Sequence, residues 1–144
     1  MGLQAQYRAA AVSLLNDTAT AASVTMQVYK ARPKSLYPPT GFVDSMRDEI
    51  GAHFGATVAQ HTPVVTVVTV WGLYDSAEAA DQRDAFIDAF HDQVRTQYHE
   101  AGAATLITVR TLADLPNYVP DWMPEEQQLT YYATQIELEG FATD

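Results

Sequence analysis

Cysteine is absent from the chain. That removes a disulfide framework, a thiolate zinc site and a cysteine nucleophile, and it suits a reducing compartment. Basic side chains are scarce as well: 8 Lys and Arg stand against 18 Asp and Glu in 144 residues, a formal charge of −10. A surface of that sign repels phosphate within the Debye length, which argues against tight binding to nucleic acid or to an anionic membrane. Long apolar runs are missing too. The longest, residues 64–71, contains two threonines and falls well short of the roughly 20 residues that span a bilayer. Residues 1–15, with Arg8 among them, lack the basic start and apolar block of a signal peptide. The 7 glycines form no GxGxxG or GxxxxGK[ST] loop, so no phosphate cradle is indicated. None of Ser13, Ser23, Ser35, Ser45 and Ser76 stands in a GxSxG context, so no exposed serine nucleophile is indicated either. The length suits one domain over residues 1–144, with roughly 68–70% of the unfolded chain's surface buried.

Hydrophobic spacing organises the rest. Residues 4–15 place Tyr7, Ala10, Ala11, Leu14 and Leu15 three and four apart, a short amphipathic helix stopped by Asn16 and Asp17. Residues 24–29 alternate Val24, Met26 and Val28 with polar neighbours, as a strand does. The loop at 30–40 contains Pro33, Pro38 and Pro39 and three of the basic residues, Lys30, Arg32 and Lys34. Phe42, Met46, Ile50 and Phe54 then recur every fourth residue, which favours a helix, although the start GFVDSM also suits an extended chain. Residues 63–71 (PVVTVVTVW) are β-branched on both faces and predict a central strand. Asp75 and Glu78 resemble a capping box opening a long helix over 76–99. Its apolar stripe is Ala79, Arg83, Phe86, Ile87, Phe90, Val94 and Tyr98, with Asp81, Asp84, Asp88, Asp92 and Arg95 opposite and Gly102 as the stop. A strand over 104–112 has Leu106 and Leu112 on one face and Ile107 and Val109 on the other. A proline-bearing loop over 113–128 carries Tyr118 and Trp122. In a last strand over 129–138, Tyr132, Thr134, Ile136 and Leu138 face the core while Gln135, Glu137 and Glu139 face out. This order predicts an α+β fold: a mainly antiparallel sheet, the long helix packed on one face, and a short N-terminal helix.

Candidate chemistry concentrates on the long helix. Asp84, Asp88, His91 and Asp92 recur at three- and four-residue steps and are the one metal-like spacing, yet the same residues with Arg83, Arg95 and His99 equally make a solvated helix face laced with ion pairs. His53, His61 and His99 stand near segment ends, where water reaches them. No enzyme, metal or cofactor is therefore expected. After Arg110 no basic residue follows, whereas Asp114, Asp121, Glu125, Glu126, Glu137, Glu139 and Asp144 do. That is a solubilising face or a surface that must not adhere to nucleic acid. Tyr37, Tyr118 and Trp122, with the basic loop, have the composition of interface anchors, or of covers over sheet edges.

Three segments carry a resemblance: KARPKSLYPPTGFVDS at 30–45, VVTVVTVWGLYDSAEAADQRDAFIDAF at 64–90, and DWMPEEQQLTYYATQIELEGF at 121–141. In these, and in their order, the chain resembles the tail terminator (tail completion) proteins of long-tailed, siphovirus-type bacteriophages, those of actinobacterial phages in particular. The resemblance implies a subunit that assembles as a ring, a hexamer in that family, on the tail tube. Such a ring stops tube polymerisation, offers a docking face to head-completion proteins, and lets double-stranded DNA pass without specific binding. It also implies that residues 41–50 are a strand paired with 64–71. Under it, Lys30, Arg32, Lys34, Tyr37, Tyr118 and Trp122 become subunit or partner contacts. Either Gln135, Glu137 and Glu139 or the helix acids Asp81, Asp84 and Asp88 become the lumen lining, because an acidic lining leaves DNA free to slide. The expected site is the head-proximal end of the virion tail. A neighbouring head-to-tail connector, and a small enzyme or ligand-binding domain built on Asp84, Asp88 and His91, are the alternatives.

Overall fold

A computed structural model describes residues 3–51, 60–96, 99–101 and 104–143. His53 and Phe54 lie outside the described residues, as do Tyr98, Gly102 and Asp144. The order is α1 (Leu3–Ala21), β1 (Gln27–Tyr29), β2 (Thr40–Gly51), β3 (Gln60–Leu73), α2 (Ala77–Thr96), β4 (His99–Ala101), β5 (Ala104–Tyr118) and β6 (Tyr131–Thr143). Among the described residues six strands form one sheet in the order β1-β2-β3-β6-β5-β4. Of the pairings among these strands β1 against β2 is parallel and the rest are antiparallel. The fold is α+β, with both helices on one face of a mainly antiparallel sheet.

β3 is central, as its composition predicts, and Val64, Val65, Val67, Val68, Val70 and Trp71 are all buried. Alternation sends Val65, Val67 and Trp71 toward the helices, where they meet Tyr7, Ala10, Ala11, Leu14 and Leu15 of α1 and Ala79, Phe86, Ile87 and Phe90 of α2. From β6, Ile136 and Leu138 join this main core, as their alternation predicts. On the opposite face Phe42, Val68, Val70, Tyr131 and Ala133 form a second cluster, roofed by Leu36 and Met123 from the two long loops.

Several boundaries differ from expectation, each for a tertiary reason. α1 does not stop at Asn16 and Asp17 but runs to Ala21, because Thr18 and Ala19 are buried against the sheet. It ends in a Schellman motif: Val24 N–H donates to the Ala19 carbonyl at 2.9 Å and Ser23 N–H to the Thr20 carbonyl at 3.2 Å, with Ser23 left-handed at φ 57°. This cap draws Val24 into the core, so β1 shrinks to Gln27–Tyr29. The segment after Pro39 is a strand paired with β3, as the resemblance implies and against what its four-residue spacing favours. A four-residue spacing is also an even spacing and therefore fits one face of a strand. A bulge between Val43 and Ser45 then moves Met46 to the helix side while Phe42 stays on the other.

α2 is capped one residue later than Asp75: Ser76 Oγ accepts from Ala79 N–H at 3.2 Å, and Asp75 is exposed. The helix ends at Thr96, and His99 opens β4. Residues 113–118, expected in a loop, continue β5 despite Pro116. A bulge between Leu115 and Tyr118 and a position on the outer side of the sheet make the missing N–H tolerable. Another bulge between Val109 and Thr111 puts Val109 and Leu112 on the same face, against the main core, contrary to simple alternation. The Leu106 and Ile107 side chains lie outside the described ones.

Candidate functional site

Three surfaces hold the residues singled out from the sequence. The first is where the 30–39 and 119–130 loops meet over the second cluster. Pro33 and Pro120 are buried here, and the prolines carry the chain across the sheet face without needing ladder hydrogen bonds. Trp122 joins the loops: its Nε1–H donates to the Pro33 carbonyl at 3.1 Å. Its ring meets Phe42 edge-on at 5.4 Å and Tyr118 at 6.1 Å between centroids, and the Arg32 guanidinium lies 5.0 Å above it. Arg32 Nε also donates to Asp44 at 2.7 Å, and that hydrogen bond holds the guanidinium above its ordinary pKa. Burial first, then the Asp44 carboxylate, pushes the Tyr118 phenol well above its ordinary value.

Arg32, Tyr118 and Trp122 are thus brought together, but as the clasp that holds the loops on the sheet. Lys30 and Lys34 remain exposed. Tyr37 is 69% exposed.

The second surface is the rest of that sheet face. Gln135, Glu137 and Glu139 point there, on the side away from the helices, as their alternation predicts. They stand beside Ser45, Arg47 and Thr111, all three exposed. Glu137 accepts from the Thr111 hydroxyl at 3.0 Å and pairs with Arg47 at 3.6 Å. Glu139 lies opposite Val64 and Thr108. The result is a polar strip on a partly exposed β surface, where the two carboxylates of Glu137 and Glu139 outnumber the one Arg47 guanidinium.

The third surface is the outer side of α2, where Asp81, Asp84, Asp88, His91 and Asp92 are exposed. Asp84 pairs with Arg83 at 3.1 Å, and Asp92 pairs with Arg95. Among the described residues no three His, Asp or Glu side chains group as metal ligands would. The helix acids and the strip acids lie on opposite sides of the sheet.

One network was not foreseen. Trp71 Nε1–H donates to the Thr134 hydroxyl at 3.1 Å, and that hydroxyl donates to Asp114 at 3.0 Å. Asp114 in turn receives a two-pronged contact from Arg83 at 3.2 and 3.3 Å. Burial opposes the Arg83 charge, yet hydrogen bonding and proximity to Asp84 and Asp114 outweigh it and raise its pKa. The network fastens α2 to β3, β5 and β6. Arg83 within an otherwise apolar stripe was its signal in the sequence.

The described residues contain no helix long and apolar enough to cross a membrane. No protein-family model matches the chain, and no curated protein matches its sequence.

Proposed function

We propose that this protein is a structural ring subunit of the tail terminator kind, capping a bacteriophage tail tube and joining it to the head, with no catalytic role and no cofactor. The observation that carries the reading is the partly exposed strip of Gln135, Glu137 and Glu139 on the sheet face away from the helices. DNA moving along that strip finds a net negative, rigid surface. Basic linings hold DNA through counterion release, whereas this one leaves it free to slide. The strip is preferred over the α2 acids as the lining because β6 is paired on both sides and fixes its side chains in register. The three resembling segments and their order point the same way.

A closed ring of identical subunits needs two different patches on each copy. The test is the solution mass of the purified chain by light scattering, alone and with the candidate tube protein, with negative-stain images. A ring in either sample supports the reading. A 15.8 kDa species in both overturns it. A ring that binds a portal-side protein but not the tube protein assigns the chain to the neighbouring connector position instead. Gln135→Lys with Glu139→Lys leaves assembly intact and slows DNA passage. Unchanged ejection together with slowing by Asp81→Lys and Asp88→Lys turns the subunit over, with α2 facing the lumen.

A further inference from the structure

Most of the few cations are already engaged within the subunit. Arg32 is held by Asp44, Arg47 by Glu137, Arg83 by Asp84 and Asp114, and Arg95 by Asp92, and Arg110 has a partner as well. Among the described residues Arg8, Lys30 and Lys34 are the cations without a carboxylate partner, and they share one corner of the molecule. Arg8 Nη1 donates to the Lys30 carbonyl at 2.6 Å. The two residues rim a groove of about 390 Å3 whose apolar lining is Ala5, Ala9, Val12 and Ala31. A chain of net charge −10 thus places two of its uncompensated cations, Arg8 and Lys30, on one apolar groove, with Lys34 lining the next depression beside Lys30.

Another place has the opposite character. The exposed large apolar residues among the described ones are Tyr37, Leu73, Tyr74, Val119 and Leu129. All belong to the end of the sheet where β2 and β6 begin and β3 and β5 end. Leu73 is paired with Tyr131, and Tyr74 N–H donates to the Thr130 carbonyl at 3.4 Å. Tyr37 and Leu129 line a groove of about 260 Å3 with Met123, Tyr131 and Glu126. Asp75, Asp121 and Glu125 are also exposed at this end. Gathered exposed apolar residues with a charged rim mark an interaction surface.

We propose that these two surfaces are the halves of one contact between copies of this chain. The apolar end of one copy, with Glu125 and Glu126, seats on the α1 groove of the next, with Arg8 and Lys30. Copies that are both strongly acidic repel at a distance, so a specific contact requires a local reversal of sign. The Arg8 and Lys30 corner supplies that reversal, and an apolar floor beside it meets an apolar end. Because the halves differ, the contact runs head to tail and closes as a ring when the rotation permits. The inference deepens the ring reading and rests on it only for that closure.

The test is sedimentation velocity on the full chain over a concentration series at low and high salt. Each variant's fold is checked by circular dichroism. Self-association weakens about tenfold in the paired variant Arg8→Glu with Lys30→Glu, and as much in Glu125→Lys with Glu126→Lys. Combining all four substitutions restores it, and Leu129→Ser weakens it while leaving the salt dependence unchanged. Should Arg8→Glu unfold the chain, Lys30→Glu alone serves for that half. A chain that stays at 15.8 kDa at the highest concentration overturns the inference. So does assembly indifferent to both pairs, or a combined variant no better than its halves. Rings that form on the tube protein regardless of these substitutions overturn this contact and leave the terminator reading standing.

Discussion

Replacing Trp122 by alanine separates a clasp from a partner anchor. Trp122 is half-buried, and its loss removes the contacts to Phe42 and Tyr118, the Arg32 stacking and the hydrogen bond to Pro33. Fully buried Trp or Phe truncations cost about 3–5 kcal/mol, so a half-buried one that also loosens the loops carrying Leu36 and Met123 costs about 3 kcal/mol. For a domain of this size that lowers Tm by about 6–12 °C. Trp122→Phe keeps most of the ring contact, frees the Pro33 carbonyl, and costs about 1 kcal/mol. Urea and thermal unfolding followed by Trp71 fluorescence measure both. Trp71 is buried in the main core, 5.1 Å from the Phe86 ring, so its emission reports that core alone once Trp122 is gone. A loss below about 1 kcal/mol for Trp122→Ala, in the range of ordinary surface changes, refutes the clasp. Coupled to failed assembly, it returns Trp122 to the role of partner anchor.

Ser23→Gly stabilises the chain by about 1 kcal/mol, because Ser23 holds a left-handed φ of 57° that glycine adopts without a Cβ penalty; chemical denaturation midpoints measure it. Thr134→Val costs about 2 kcal/mol in the same assay, since it leaves the Trp71 N–H without its acceptor in a buried site. Burial raises the pKa of Tyr118, Tyr131 and Tyr132, so the folded chain keeps phenolic protons that the unfolded chain releases near pH 10. Stability from these groups is full below about pH 10 and falls as pH rises through the raised values, with Tyr118→Phe softening the decline; alkaline unfolding and ultraviolet titration of the phenols test this.

Much of the fold was legible in local pattern. β3 announced itself by β-branched residues on both faces, and β6 by strict alternation from Tyr132 to Leu138. α2 did so by the stripe of Ala79, Phe86, Ile87 and Phe90. The site residues were legible only as types. Arg32, Tyr118 and Trp122 stood out as a cation and two aromatics in proline-bearing loops, but nothing local distinguishes an aromatic that covers its own sheet from one that awaits a partner. Asp114 gave no signal, because its partners Thr134 and Arg83 are distant in sequence. The Arg8 corner gave none either: which cations lack a carboxylate is known only when every chain segment is in place.

Composition and periodicity by themselves determined the absence of thiol chemistry, the acidic balance, the α+β class, and which residues of β3, β6 and α2 turn inward. These follow from side-chain chemistry and from the two backbone periods, both properties of neighbouring residues. Tertiary structure decided what depends on distant ones. Burial of Thr18 and Ala19 carried α1 past its apparent stop, and bulges at Val43/Ser45 and Val109/Thr111 reset which faces Met46 and Leu112 occupy. Pairing on the sheet made a strand of residues whose spacing also suits a helix. The same long-range pairing put the strip acids and the helix acids on opposite sides of the molecule, because a strand assigns its side chains to faces only once its neighbours fix the plane of the sheet.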